Sequence, residues 1–334
     1  MDKELKKPLM SEAAKGSLMQ KLFAGGALIF LYVFFGIFGE NFFSVNSLIS
    51  ILNSSYYIGF IAIGMVFIII SGHIDLSVGA VTVGSALLGG VAYNMWGFPI
   101  WLSLVFVILV GVTFGLINGL LVGRLRLPFF IATLGIQFIA VGFCSIVADV
   151  QTMYYPNVTG PDGWFKLVFF KTSSGFPVGA LWLALYFIIA AVILNKTQFG
   201  RYVFALGGSE EASRLSGINV SNWRLVFYMF SGLSSGLAGI IYAATYSAIT
   251  PQTGPGLEMM AIAACVIGGC SLTGGVGSLT GTIIGVFIIV VIKNGLMSMG
   301  LPSQWQLFFI GIVVIIAVLA DVMRSKRRTN ELSS

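Results

Sequence analysis

Residues 48–70 read LISILNSSYYIGFIAIGMVFIII, 23 positions without one Asp, Glu, Lys, Arg or His. A helix needs about 20 predominantly apolar residues to cross the hydrocarbon core of a bilayer. The run is continuous rather than alternating, which excludes the strand of a membrane barrel, where apolar and polar positions take turns. Working outward, comparable runs occupy 22–39, 76–96, 100–123, 128–148, 178–195, 224–247, 257–272, 277–299 and 305–321. The sequence therefore predicts an all-α polytopic membrane protein with about ten transmembrane helices.

The composition agrees. Of 334 residues, 57% are hydrophobic and 9% charged, and the mean hydropathy is +0.97. A soluble domain carries about 25% charged residues, so this chain cannot cover a water-facing surface. That excludes a soluble enzyme, a disordered regulator and a nucleic-acid binder, despite a net charge of +6. The first partner is the lipid bilayer. The 42 glycines let membrane helices approach closely. Cys144, Cys265 and Cys270 sit in apolar runs without Cys-x-x-Cys spacing and read as packing residues. No disulfide framework or metal site is indicated.

Lysines and arginines in short loops set orientation. Lys3, Lys6, Lys7, Lys15 and Lys21 precede the first run, which lacks a small-residue cleavage pattern and reads as a retained span. With that tail inside, Arg124, Arg126, the segment 196–223 and Arg324 to Arg328 fall in the cytoplasm. The chain is then one transmembrane domain, 1–334, with cytoplasmic tails 1–21 and 322–334, an outer loop 149–177 and a cytoplasmic loop 196–223. The outer loop reads equally as a cap over the mouth or as a mobile connection. Lys293, near the outer end of span nine, is expected to snorkel. Ten spans divide into five plus five, an odd number that would invert the second set. Gly111-x3-Gly115 in span four and Gly281-x3-Gly285 in span nine agree with such a repeat, as they do with simple small-residue packing.

No Gly-x4-Gly-Lys-Ser/Thr is present, so the chain has no P-loop of its own. No catalytic group and no cofactor of its own is indicated. Three stretches carry information. The first is SGHIDLSVG, 71–79. Asp75 is expensive in an apolar hairpin unless partnered; it reads either as an N-cap of span three or as a group lining the pathway. His73 reads as a polar hinge residue. The second is FGRYVFALGGSEEASRLSGINV, 199–220. Ser209 can cap a short helix through Glu210, Glu211, Ala212, Ser213 and Arg214, and Gly217 can stop it. Such a helix between two spans suits docking on another protein; lying flat in the lipid interface is the alternative. The third, 268–278, holds Gly268, Gly269, Gly274, Gly275 and Gly277 and reads as a broken or re-entrant connection, or as a plain turn. Asn53, Ser77, Asn118, Gln137 and Glu258, together with Asp75, are the candidate pathway residues; each alone reads also as interhelical glue. Amides and hydroxyls without rows of charge suit a neutral polyol better than an ion.

Together these stretches resemble the permease subunits of bacterial ABC importers for monosaccharides, of the ribose/xylose/galactose type. The first matches that family's SGGIDLSVG with His73 for Gly. The second matches GGN-x-x-AA-x-x-x-GI-x-V with Ser213 in the third position of the Glu-Ala-Ala element. The third matches ELDAIAA-x-x-IGG-x-S-x-x-GG-x-G over 258–277, with Met260 in place of Asp, so no role of that carboxylate passes to this chain. The resemblance implies a multi-pass protein of the bacterial inner membrane that pairs with a second copy or a homologous permease. It also implies an ABC ATPase subunit carrying ATP and Mg on the cytoplasmic side, and a periplasmic or lipid-anchored sugar-binding protein. Residues 210–217 would be the coupling helix. Permeases of the related branched-chain amino acid or nucleoside importers share the ten-span fold and are the alternative, although an amino acid would favour charged contacts that this chain offers sparsely. A stand-alone secondary transporter is the more distant alternative.

Overall fold

The computed structural model describes residues 6–172 and 175–333, with side chains described for 21–172 and 175–323. The basic side chains expected to fix both tails inside, Lys3 to Lys15 and Arg324 to Arg328, lie outside that set. The helices are α1 (Lys6–Phe38), α2 (Val45–Ile70), α3 (Val78–Asn94), α4 (Ile100–Gly119), α5 (Phe129–Val147), α6 (Trp164–Phe169), α7 (Val178–Lys196), α8 (Gln198–Gly208), α9 (Glu210–Leu215), α10 (Val220–Tyr246), α11 (Leu257–Ile267), α12 (Leu279–Ser298) and α13 (Ser303–Ser333). A π-helical turn, Leu120–Arg124, prolongs α4. The single strand pair among the described residues joins β1 (Met153–Tyr154) to β2 (Ala248–Ile249), antiparallel, with Met153 opposite Ile249.

Among the described residues, eight helices are long and apolar enough to cross a membrane, and they match eight of the expected spans. The other two are shorter. α3 has 17 residues and α11 only 11, so α11 extends about 16 Å at 1.5 Å per residue, half the thickness of a bilayer core. The chain then runs without helix through 268–278. Span eight is therefore a half-length helix plus an irregular connection. Local chemistry places the boundaries. Ser44 accepts the Ser47 N–H at 3.2 Å, Asn219 the Asn222 N–H at 3.1 Å and Ser278 the Gly281 N–H at 3.2 Å. Pro99, Pro128 and Pro177 stand immediately before α4, α5 and α7, where a missing N–H costs nothing.

A helix that is apolar all round belongs in a core, and α2 is enclosed by α7, α10, α11 and α12. The helices α1 and α13 keep most of their apolar surface exposed, at the rim. The pairings repeat between halves: α2 packs on α12 as α10 packs on α4, and α3 contacts α4 and α5 as α11 contacts α12 and α13. Both Gly-x3-Gly pairs lie in these seams. A side chain at Gly111 or Gly115 would strike the backbone of α10, and one at Gly281 or Gly285 the backbone at Gly268 or Ala264. Corresponding helices run in opposite directions, because α2 ends where α8 packs and α10 begins beside α8 and α9.

Lys196, Arg201, Arg214, Arg224, Arg124 and Arg126 collect at that shared end, called here the basic end. The segment 149–177 lies at the opposite end, and its described residues are fastened down. Besides the strand pair, Tyr155 donates to the Ala86 carbonyl at 2.6 Å, Tyr93 to Asp162 at 3.0 Å and Trp182 Nε1 to the Val168 carbonyl at 2.7 Å. Phe165, on α6 within the segment, is fully buried. The described part of the segment thus packs against α3 and α7.

Candidate functional site

At the basic end, α9 is a single well-braced turn and a half. Ser209 Oγ accepts the Ala212 N–H at 3.2 Å, and Gly217, at φ +84°, closes the helix in the left-handed region. Glu210 pairs with Arg224 at the start of α10, so the helix is held from both sides. Ser213 faces inward, whereas Glu211 and Arg214 face outward and Leu215 is 80% exposed.

Within the loop expected at 196–223, residues 198–208 fold as α8. Its apolar face is Phe199, Val203 and Leu206, at i, i+4 and i+7, a signal present but short. Phe199 packs among Phe67, Trp223, Phe227 and Phe230, with ring centroids 5.2–5.9 Å away. That aromatic cluster ties α8 to α2 and α10.

The glycine-rich stretch meets the same place. Gly275 donates its N–H to the Ile70 carbonyl at 2.8 Å. Gly274, at φ +85°, lies against Gly207 and Gly72, and a Cβ at Gly207 would strike the Ile70 carbonyl. The end of α2, the end of α8 and the 268–278 connection thus touch backbone to backbone, one residue from Ser209. Gly268 and Gly277 close the connection against Gly281 and Ile70, and Gly269 turns it at φ +98°. Asp321 on α13, which sequence reasoning did not single out, caps it: Oδ2 accepts the Leu272 N–H at 2.9 Å and the Ser271 hydroxyl at 3.2 Å.

Deeper in the bundle lie two buried carboxylates. Asp75 is not the N-cap of α3; that position is Ser77, which makes no side-chain cap. Instead Asp75 Oδ1 accepts the Ser77 N–H at 3.0 Å, the Ser77 hydroxyl at 2.6 Å and Asn118 Nδ2 at 3.4 Å, and Oδ2 accepts the Ser231 hydroxyl at 3.0 Å. Asn118 Nδ2 also donates to Ser77 Oγ at 2.7 Å. The 71–77 hairpin, α4 and α10 are joined through one carboxylate that is 2% exposed, and low local dielectric strengthens each bond. Glu258, in the first turn of α11, accepts the Gly256 N–H at 2.9 Å and Gln137 Nε2 at 3.3 Å; its Oε2 rests on Gly79 without a donor. The starts of the two short helices therefore meet inside the bundle, each with an acid. Asn53, half-buried on α2, belongs to neither cluster. His73 packs edge-on against Phe129 at 5.3 Å.

Among the described residues, clefts open between helices, one of about 470 Å³ among α2, α7 and α12 and another of about 570 Å³ between α4 and α5. Leu183, Ile283 and Phe287 line the first and Phe106, Phe114 and Phe143 the second, surfaces suited to acyl chains and not to a polyol.

The model of the family described as "Branched-chain amino acid transport system / permease component" matches residues 47–318. The chain belongs to that family. Ribose import permease protein RbsC of Escherichia coli K12 is 35% identical over 88% of this permease and 91% of its own length, and RbsC of Bacillus subtilis is 37% identical over 92% and 94%. Autoinducer 2 import system permease protein LsrC of Yersinia enterocolitica is 34% identical over 88% and 80%. No solved structure matches it. The permease is a multi-pass membrane protein, and the motifs that suggested the family from sequence, 71–79, 199–220 and 258–277, all fall within the matched span.

Proposed function

We propose that this permease is the membrane-embedded subunit of an ATP-driven importer of monosaccharides in the bacterial inner membrane. The basic end, with α9, 196–223 and both tails, faces the cytoplasm. A separate ABC ATPase binds and hydrolyses ATP with Mg there and grips α9 through Leu215, Glu211 and Arg214. A second copy of the chain, or a homologous permease, completes the passage, and a periplasmic or lipid-anchored binding protein delivers the sugar to the opposite end. The observation that carries this reading is α9: capped at Ser209, stopped at Gly217, braced by Glu210–Arg224 and presenting an exposed leucine. A stand-alone transporter has no use for such a helix. Closure of the ATPase pair would displace α9 and, with it, the glycine contact at Ile70, switching the bundle as a rigid body between outward and inward states.

The relatives named for ribose favour a sugar. The family's own description favours a branched-chain amino acid, whose ammonium and carboxylate need charged partners; of the buried acids, Asp75 is engaged through both oxygens and Glu258 through Oε1 in internal hydrogen bonds. The deciding experiment is uptake in cells expressing the permease with its neighbouring ATPase and binding protein. Accumulation of a pentose or hexose, abolished by Leu215→Asp at unchanged membrane abundance, is expected; accumulation of leucine instead would refute the sugar reading.

A further inference from the structure

The opposite end of the bundle carries a group that the docking and acid clusters do not use. Lys293 lies on α12 five residues before its end at Ser298, about 7.5 Å in from the terminus. Its Nζ turns to the hydroxyl of Tyr57, at 3.3 Å, on a ring that is 1% exposed. Tyr57 Oη in turn lies 3.1 Å from Tyr246 Oη. Tyr242 completes the group, edge-on to Tyr57 with centroids 5.1 Å apart and 4.7 Å from Tyr246. Three helices, α2, α10 and α12, bring these four residues together.

Among the described residues no carboxylate lies within ion-pair distance of Lys293, and one of its three N–H donors is engaged by a side chain. An ionisable residue without a counter-charge on a membrane helix marks a functional site by default. The surroundings say what it would take. The helices α10 and α12 both end here, so their carbonyl termini place partial negative charge around the cluster, which opposes an anion. A hydroxyl suits it, accepting from the ammonium and donating to tyrosine oxygens or helix-end carbonyls. Tyrosine rings offer apolar faces for the C–H side of a sugar ring, and Tyr246, 44% exposed, leaves the group open to the outside.

We propose that Lys293, Tyr242 and Tyr246, positioned by the buried Tyr57, form a contact site for a neutral monosaccharide at the end of the permease remote from α9. The inference rests on the transport reading above and assigns residues within it. The test is initial-rate uptake of labelled D-ribose, D-xylose, D-galactose and leucine by cells carrying the complete importer, with permease abundance measured in the membrane. Lys293→Met is expected to lower maximal sugar uptake about tenfold, the ratio for one charge-assisted hydrogen bond, and Lys293→Arg to stay within about threefold of the unaltered protein. Removing a charge from an apolar helix does not hinder insertion; should Lys293→Met nonetheless be missing from the membrane, Tyr246→Ser, at an exposed ring, decides by the same tenfold criterion. Variants within about twofold of the unaltered protein, or an arginine variant as poor as the methionine one, overturn the site while sugar uptake by the unaltered importer keeps the transport reading intact. An unaltered importer that accumulates leucine and none of the three sugars overturns both.

Discussion

Asp75→Ala is the sharpest test of the buried cluster. Removing the carboxylate strands three buried donors: the Ser77 N–H, the Ser77 hydroxyl and the Ser231 hydroxyl. Asn118 keeps its bond to Ser77 Oγ. Each stranded donor costs about 1–3 kcal/mol. One water in the vacated space can recover part of this, so we expect a loss of about 3–5 kcal/mol. Asp75→Asn behaves differently. Its amide oxygen still accepts from Ser77, and its Nδ2 donates to a Ser231 hydroxyl rotated to accept, so the expected loss is about 1 kcal/mol. Reversible unfolding of the purified permease by titrating SDS into mixed micelles measures both. A loss below about 1 kcal/mol for the alanine variant would falsify the reading of Asp75 as a joint between hairpin, α4 and α10. So would an asparagine variant as unstable as the alanine one.

Other expectations concern the basic end. Gly217→Pro cannot adopt φ +84°, and Glu211→Lys reverses a charge on the exposed side of α9; each should reduce sugar uptake to background with normal membrane abundance, and normal uptake by both would refute the coupling role. Gly207→Val forces a side chain into the Ile70 carbonyl, so thermal denaturation of the purified chain should fall by several degrees, consistent with an overpacking cost of about 1–3 kcal/mol. The purified permease alone should hydrolyse no ATP in a phosphate-release assay, and turnover without a partner subunit would contradict the division of labour proposed here.

What could be read from sequence was what is local. The spans were legible because a bilayer core demands long apolar runs, and α9 because both of its stops, Ser209 and Gly217, lie within a few residues of the helix they bound. α8 escaped because its inward face, Phe199, Val203 and Leu206, is only two turns long and is interrupted by apolar residues off that face, so it looks like loop until Phe67 and Trp223 supply the other side. The acid clusters escaped for a related reason: Asp75 meets Asn118 and Ser231 across separations of 43 and 156 residues, and no periodicity announces such a meeting. Lys293 was visible as an oddity, but its turn toward Tyr57, 236 residues away, was not.

The backbone seat at Ile70, Gly207 and Gly274 has a mechanical corollary. Side chains cushion movement by changing rotamer, and a junction made of peptide groups has no rotamers to change. Whatever tugs on α8 and α9 therefore hauls the foot of α2 with them. That helix is a stiff rod, and thirteen residues up the same rod stands Tyr57. A pull applied by the motor on one side of the membrane would be felt, with little slack, by the tyrosine that holds Lys293 near the other.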